Sequence, residues 1–156
     1  MAQTPTIGTS VQGDFDGDGK KEYAFSVLLK EAVGNPMEDG TAAEYAVNFS
    51  TEKISTIEAG CCYITLVNEG DLNNDGLDEL SLFQAPVNGN TSTMVTYSFK
   101  NGKWIEIVAS YMVPTREDFL SDEEIQELVF IENGHIYYLD TDMSDENMPL
   151  IKVKVN

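Results

Sequence analysis

Apolar and polar side chains alternate with a period of two along most of this chain of 156 residues. Successive side chains on a β-strand point to opposite faces, so this period predicts strands that bury one face. The predicted strands before residue 111 cover residues 10–13, 22–29, 44–49, 53–57, 62–68, 79–84, 93–99 and 104–110. The pattern therefore predicts an all-β fold of antiparallel sheets.

Two Asn-Gly dipeptides separate alternating segments and mark tight turns. Asn101-Gly102 lies between the strands at 93–99 and 104–110, and Asn133-Gly134 lies between two later segments. Asn-Gly favours the two-residue turn whose twist matches that of paired strands, so each dipeptide predicts a β-hairpin. Polar breaks follow at 88–90 and 115–119.

The C-terminal part differs from the rest of the chain in containing a helix signal. Ser121 is followed three residues later by Glu124, which is a capping-box pattern. It predicts one short helix that ends near Leu128. The strands predicted after the helix cover residues 129–132, 135–139 and 151–155.

Two segments with the same nine-residue pattern interrupt the alternation, at residues 14–22 (the first loop) and 71–79 (the second loop). Both have oxygen-bearing side chains at positions 1, 3 and 5, glycine at position 6 and glutamate at position 9. A hard cation such as Ca²⁺ takes 6–8 oxygen ligands, and glycine permits the sharp reversal that gathers them. Position 7 supplies a backbone carbonyl, so its side chain is free to vary. The pattern predicts two calcium sites.

These loops are not EF-hands. An EF-hand closes with a bidentate acid at position 12, but position 12 is Phe25 in the first loop and Leu82 in the second. The acid comes three residues earlier, at Glu22 and Glu79. The residues that follow alternate as in a strand, whereas an EF-hand continues into a helix. Each predicted metal site therefore lies in a turn between two strands.

The segments 13–24 and 70–80 resemble the FG-GAP or VCBS-type repeat, the calcium-binding hairpin of integrin alpha propeller blades and of many secreted bacterial proteins. In that family, the side chains at positions 1, 3, 5 and 9 and the carbonyl at position 7 bind Ca²⁺. Position 9 is often Asp in the family and is Glu here. The resemblance assigns two Ca²⁺ sites to Asp14, Asp16, Asp18, Lys20 and Glu22, and to Asp71, Asn73, Asp75, Leu77 and Glu79.

The spacing of the loops predicts a repeat architecture within a single domain of residues 1–156. The loops are offset by 57 residues, from 14 to 71, which fits a four-stranded propeller blade of about 40–50 residues with one long connection. Repeat unit one covers 9–58, repeat unit two covers 61–112, and a helix, hairpin and strand cover 115–156. The expected fold is therefore a partial β-propeller-like set of blade-like sheets.

Closure of the blades is left open by the sequence. Closed propellers have about four to eight blades, and this chain offers two or three. The blades form an open curved sheet, or several copies of the chain associate to close a ring, or the chain is part of a longer protein.

The composition excludes several classes of partner. The formal net charge is −18 and only nine Lys and Arg are present, which disfavours nucleic acid and anionic membrane surfaces. Two Ca²⁺ ions would bring the charge from −18 to −14.

No run of 18 apolar residues exists, so no transmembrane segment is predicted. Residues 1–5 contain no secretory signal.

Cys61 and Cys62 are the two cysteines of the chain. On a strand they would point to opposite faces, so they are expected to pack as small apolar side chains, and a strained vicinal disulfide is the alternative. A zinc site is not expected, because His135 is the single histidine and is distant in sequence.

A third acidic segment, 140–146, has Asp145 where the loops have glycine, and it is expected to be a solvated turn.

The favoured function is a secreted calcium-binding module that serves as a binding or scaffold domain for an unknown protein or glycan ligand. Calcium sites of extracellular modules bind at about 10⁻⁴–10⁻³ M, so cytosolic calcium would leave them empty. An extracytoplasmic location follows from that argument and from the family: secreted, periplasmic or anchored at the cell surface. Aromatic side chains would make the ligand contact, and the candidates are Trp104, Tyr111, Tyr137 and Tyr138.

The alternative function is an extracellular, carbohydrate-active hydrolase that uses paired carboxylates. Such chemistry needs two acids about 5–9.5 Å apart. Because the chain has 27 acidic residues, some pair would meet this distance in any fold. Neither a nucleophile elbow nor a phosphate-binding glycine-rich loop is present, so no catalytic residue is predicted.

Overall fold

The computed structural model describes residues 6–35, 38, 40–86, 91–114 and 120–155. The segments predicted as breaks at 88–90 and 115–119, and residues 1–5, lie outside these ranges. The described strands and helix are, in chain order, β1 (Ile7–Gly8), β2 (Ser10–Gly13), β3 (Glu22–Lys30), β4 (Glu44–Phe49), β5 (Ile57–Gly60), β6 (Tyr63–Gly70), β7 (Glu79–Ala85), β8 (Thr91–Lys100), β9 (Lys103–Pro114), α1 (Asp122–Gln126), β10 (Val129–Glu132), β11 (His135–Thr141) and β12 (Leu150–Lys154).

The strands form three antiparallel sheets, which confirms the all-β, blade-like prediction. The first sheet has the order β2-β3-β4-β5, so each strand pairs with the next one along the chain. The second sheet has the order β1-β6-β7-β8-β9, a similar four-stranded meander to which β1 adds an edge strand. The third has the order β10-β11-β12. The strands of the described residues do not close into a barrel.

The second sheet is the central layer, because it is buried on both faces. On β7, Leu80 and Leu82 point into a core shared with the first sheet, and Phe83 points into a core shared with α1 and the third sheet. Side chains alternate between the faces of a strand, so a strand between two cores must be apolar at nearly every position. The first five residues of β7 are all buried, including Ser81, whose hydroxyl lies 2.6 Å from that of Thr96.

The short helix α1 begins as its capping box predicts. The Ser121 hydroxyl accepts a hydrogen bond from the Glu124 amide, and the Glu124 carboxylate accepts one from the Ser121 amide. Ile125 is buried in the core shared with the second sheet. The helix ends at Gln126, two residues before the predicted end, and Leu128 is buried as the chain turns into β10.

Both Asn-Gly hairpins are confirmed. Asn101 and Asn133 adopt positive φ values of 53° and 52°, as the turn requires. The strand predicted at 53–57 was wrong, because residues 51–54 form a turn and β5 starts at Ile57. Ile54 is buried from within that turn, so its apolar character reflects core packing and not strand alternation.

The expectation that the two cysteines pack as separate apolar side chains was wrong. Cys61 and Cys62 are joined as a vicinal disulfide across a cis peptide bond. They lie in the connection before β6, which starts at Tyr63, so the opposite-face argument for strands does not apply to them. Cys62 is buried and Cys61 is exposed.

Among the described residues, no helix has the length and apolar character needed to cross a bilayer.

Candidate metal centres

Each acidic loop connects two neighbouring strands of one sheet. The first loop joins β2 to β3, with Gly13 paired to Glu22, and the second joins β6 to β7, with Gly70 paired to Glu79. The glutamate at position 9 is thus the first residue of the outgoing strand, and the sheet ladder fixes its backbone. Both glutamates are buried, with exposed fractions of 5% for Glu22 and 0% for Glu79.

A buried apolar side chain at position 2 anchors each loop. Phe15 is fully buried in the core between the first and second sheets, where its ring meets that of Phe49 edge-on at 5.9 Å. Leu72 is buried in the other core. Neither anchor was predicted from the sequence. The available signal was a lone apolar residue between oxygen-bearing side chains, at the same position in both loops.

The carboxylates of each loop converge on one point and form a group that can hold a metal ion. Within each group, one oxygen from every member lies within 4.8 Å of the others. All the donors are oxygens, which suits a hard cation. The members are Asp14, Asp16, Asp18 and Glu22 in the first loop, and Asp71, Asp75 and Glu79 in the second.

Backbone amides of the first loop point inward to its carboxylates. Gly19 N donates to Asp14 Oδ2 at 2.9 Å, Lys20 N donates to Asp18 Oδ1 at 2.8 Å, and Asp18 N donates to Asp16 Oδ1 at 3.1 Å. Asp18 is exposed, and the Lys20 amide is the main cause that lowers its pKa. The amides hold the carboxylates at positions 1, 3 and 5 in place.

The second loop repeats most of this hydrogen-bond pattern. Gly76 N donates to Asp71 Oδ2 at 2.8 Å and Leu77 N donates to Asp75 Oδ1 at 3.0 Å, which match the bonds from positions 6 and 7 of the first loop. The amide at position 5 differs, since Asp75 N donates to Asp71 Oδ1 at 3.0 Å. The role of the Lys20 and Leu77 carbonyls as ligands stays a prediction.

The glutamate at position 9 is held by the amide at position 2 in both loops. Phe15 N donates to Glu22 Oε2 at 3.0 Å, and Leu72 N donates to Glu79 Oε2. Glu79 receives a further bond from the Ser98 hydroxyl on β8. In both loops, the backbone amide of the buried apolar residue at position 2 therefore orients the buried carboxylate at position 9.

One buried oxygen in each loop has no hydrogen-bond donor among the described residues. In the first loop it is Asp14 Oδ1, at position 1, and in the second it is Asn73 Oδ1, at position 3. The difference follows from the amide at position 5, which donates its hydrogen bond to Asp16 Oδ1 in the first loop and to Asp71 Oδ1 in the second. A buried acceptor without a partner costs about 1–3 kcal/mol, so both loops present an oxygen that a cation would satisfy.

The buried glutamates carry the clearest electrostatic signature of the two loops. The pKa of Glu22 is raised to about 7, mainly by burial and to a lesser extent by the carboxylates of Asp16, Asp18 and Asp14, while the hydrogen bond from the Phe15 amide opposes the rise. Burial likewise raises the pKa of Glu79 to about 7. A cation among these oxygens would reverse that effect, because it stabilises the ionised form.

The two loops contact each other directly. Asp14 N donates to Asp78 Oδ2 at 3.0 Å, and Asp78 N donates to the carbonyl of Asp14 at 2.9 Å. Asn68 Nδ2 donates to the carbonyl of Gln12 at 2.7 Å and to Asp78 Oδ2 at 3.3 Å. We call these residues the loop junction. Asn68 and Asp78 were not predicted from the sequence, because their partners Gln12 and Asp14 lie 56 and 64 residues away.

A van der Waals contact extends the loop junction. A Cβ atom built at Gly17 would lie 2.6 Å from Leu77 Cδ2, so the Leu77 side chain covers Gly17 at close range. Gly17 also has a positive φ of 77°. Glycine suits this conformation, which Asn74 also adopts at position 4 of the second loop, with a φ of 59°.

The four aromatic residues expected to carry ligand contacts are packed against neighbours. Trp104 stacks on Phe49 with ring centroids 5.2 Å apart, and its Nε1 donates to the carbonyl of Ser55 at 2.8 Å. The other pairs are Tyr111 with Tyr138 and Tyr137 with Phe130, at centroid distances of 4.6 and 5.7 Å. Among the described aromatic residues, the exposed ones are Tyr23 and Tyr63, at 51% and 58%.

The third acidic segment is a self-satisfied turn. Asp142 Oδ1 accepts hydrogen bonds from the Ser144 amide at 3.0 Å and from its hydroxyl at 2.6 Å. The acids of this turn do not form a metal-holding group with other described residues. His135 lies on the far wall of a cleft whose near wall is the second loop, and the described residues give it no metal-binding companions.

Comparison of this chain with family models, with curated proteins and with solved structures finds no match.

Proposed function

We propose that this chain is an extracytoplasmic calcium-binding module of the FG-GAP or VCBS type, in which two Ca²⁺ ions stabilise the turns between paired strands. One observation carries the proposal. Two loops of the same pattern each enclose a buried glutamate, and each leaves one buried oxygen without a donor, at Asp14 Oδ1 and Asn73 Oδ1. An ion at each centre would satisfy that oxygen and remove the repulsion between the carboxylates.

The choice of calcium rests on the donor set. The side-chain donors are oxygens, and the two groups contain neither histidine nor cysteine. Each loop is short and both of its ends are fixed by paired strands, so its oxygens cannot all adjust to an ideal geometry. Such a loop suits an ion that accepts irregular coordination. Ca²⁺ does so with 6–8 ligands at 2.3–2.6 Å, whereas Mg²⁺ requires near-octahedral geometry at 2.0–2.1 Å.

Chelation tests the proposal. Ca²⁺ that binds only the folded state stabilises it by about 2.7 kcal/mol per site at a hundredfold excess over Kd. We expect EGTA to lower the Tm, calcium to restore it, and magnesium at the same concentration to restore it less. Isothermal titration calorimetry is expected to give two Ca²⁺ per chain. A Tm and a titration that do not respond to calcium would contradict the proposal.

Single-site variants assign the effect to the loops. Glu22→Ala and Glu79→Ala are each expected to reduce the stoichiometry from two ions to one and to lower the Tm in calcium. Glu146→Ala removes the same charge from an exposed position and serves as the matched control. Equal loss of calcium binding in all three variants would indicate a general effect of surface charge.

The second part of the proposal is that the module binds a protein or glycan ligand. Its support is the exposed apolar surface at Tyr63, which lies 6.3 Å from the Tyr45 ring and borders a cleft that also includes Leu28. An exposed aromatic ring next to a cleft suits the face of a sugar or an apolar side chain. A glycan and protein panel screened with the native chain and with Tyr63→Ala tests this part. Tyr23→Ala, which alters the other exposed aromatic residue, is the control.

A further inference from the structure

We propose that the two calcium sites are coupled through the loop junction, so that an ion in one loop raises the affinity of the other. This inference rests on the proposed function and adds its regulation. The junction joins a ligand of one site to the neighbour of a ligand of the other. Asp14 holds position 1 of the first site, and Asp78 directly precedes Glu79, which holds position 9 of the second.

The junction fixes the backbone at both ends. Asp14 donates its amide to the Asp78 carboxylate and accepts from the Asp78 amide, so the two residues are joined by a two-way bridge of 3.0 and 2.9 Å. A shift of Asp14 as its carboxylate binds an ion must therefore move Asp78 or break both bonds. The Asp78 peptide leads into Glu79, whose side chain lies at the second site.

The space around this bridge leaves little room for independent motion. A Cβ atom at Gly13 would lie 2.6 Å from Asn68 Nδ2, 2.8 Å from Phe15 Cζ and 3.0 Å from Asp78 Oδ2. Asn68 extends the contact to both sides, because it also accepts a hydrogen bond from the Gly70 amide at 2.8 Å. Both strands that enter the loops are thus tied to one cluster of atoms.

The sign of the coupling follows from the ordering of the loops. Before any ion binds, the converging carboxylates in each loop repel one another, and only the backbone amides and the bridge oppose that repulsion. The first ion orders Asp14 and, through the bridge, Asp78. The second loop is then partly ordered before its ion arrives. The entropy cost of binding the second ion is therefore smaller, which gives positive cooperativity. The Asp78 carboxylate also lies between the loops, where its negative charge offsets repulsion between the ions.

Calorimetric titration of calcium-free protein tests the coupling. Glu22→Gln disables the first site and Glu79→Gln disables the second, with side-chain volume retained. We expect the remaining site in each variant to bind calcium at least about fivefold more weakly than the same site in native protein whose other loop is filled. Linkage requires the factor to be the same in both directions.

A second set of variants locates the coupling at the junction. Asp78→Ala removes the bond from the Asp14 amide to the Asp78 carboxylate and keeps the bond from the Asp78 amide to the Asp14 carbonyl, so the affinity of each site is expected to depend less on the other loop than in native protein. Asn68→Ala provides an independent disruption, and Asp142→Ala is the control that removes an equal charge from the C-terminal turn. Far-UV circular dichroism checks that each variant folds. If a junction variant does not fold, the comparison of native protein with Glu22→Gln still tests the coupling.

The outcomes separate the coupling from the proposed function. Absence of calcium binding in native protein would overturn both. Two sites whose affinities do not depend on each other would overturn the coupling and leave calcium binding intact. Coupling that persists unchanged in both Asp78→Ala and Asn68→Ala would overturn the assignment to the loop junction.

Discussion

The Ser98 hydroxyl donates a hydrogen bond of 3.1 Å to Glu79 Oε1. Ser98 lies on β8 and Glu79 begins β7, and Lys100 of the same strand β8 also reaches the second loop, with its Nζ 3.8 Å from Asp75 Oδ2. Glu79 is therefore held from two directions, by the Leu72 amide of its own loop and by the hydroxyl group of Ser98, which lies 19 residues later in the chain. The second site depends on the sheet as well as on its loop.

Removal of this hydroxyl is expected to weaken the second site alone. A hydrogen bond to a charged group contributes about 1.5–3 kcal/mol, so Ser98→Ala should lower the calcium affinity of the second loop by about tenfold or more. The affinity of the first loop is measured in a Glu79→Gln background. Ser92→Ala removes another buried hydroxyl from the same strand and is the control. Equal effects of the two serine substitutions would contradict this role of Ser98.

The stability of the calcium-free protein is expected to fall as the pH rises from about 4.5 to about 7. The pKa of Glu22 and of Glu79 is about 7 in the folded state, against an ordinary value of 4.5 for a glutamate side chain. Across that window the folded chain retains protons that the unfolded chain has released, so each rise in pH favours unfolding. The loss is on the order of 1–3 kcal/mol for each glutamate.

Urea unfolding of calcium-free protein between pH 4.5 and 8 measures this slope. Saturating calcium is expected to remove the part of the slope that Glu22 and Glu79 contribute, because a bound ion keeps both carboxylates ionised in the folded state. The double variant with Glu22→Gln and Glu79→Gln is the matched control and should lack that same part without calcium. Burial also raises the pKa of Glu69, which lies outside both loops, to about 8, so its contribution to the slope should remain in both cases. Stability that rises with pH across the whole window would contradict the assignment.

The two glycines that precede the loops are expected to tolerate alanine differently. Gly13 has no room for a Cβ atom, since Asn68 Nδ2 would lie 2.6 Å away, and overpacking of this kind costs about 1–3 kcal/mol. Gly70 has open space but a φ of 76°, which costs an alanine about 1–2 kcal/mol. Thermal unfolding measures both losses. Calcium titration distinguishes them, because only Gly13→Ala should also reduce the coupling of the sites.

The cap of α1 is expected to stabilise the C-terminal part independently of calcium. Ser121→Ala removes one half of the capping box and should cost about 1 kcal/mol, with or without the ion. Ser121→Asp keeps an acceptor at this position and should retain most of the stability. Urea unfolding in calcium and in EGTA measures the difference. A loss that appears only in calcium would contradict the independence of the cap from the loops.

Local patterns in the sequence predicted the local structure well. The strands at Glu44–Phe49 and Val129–Glu132 begin and end where alternation placed them, and both Asn-Gly turns are present. These features depend on neighbouring residues only. The two-residue strand β1 was missed, because it exists only through its pairing with Leu66 and Val67, about 60 residues away.

The candidate site divides in the same way. The acids of each loop were predictable because a nine-residue spacing brings them together without help from the rest of the fold. The Ser98 hydroxyl and the Asn68 and Asp78 side chains were not, because they reach the loops through strand pairing and sheet packing. A pattern in one segment carries no information on which distant polar residue will complete its shell.

The bridge between Asp14 and Asp78 has a consequence for the order of folding. It closes a span of 64 residues, whereas the hairpins of the chain close within a few residues and form in about 1–10 μs. The bridge must therefore assemble after the first and second sheets exist and have met. The amide protons of Asp14 and Asp78 should be among the last to gain protection during refolding, and calcium should slow their exchange more than that of the hairpin amides.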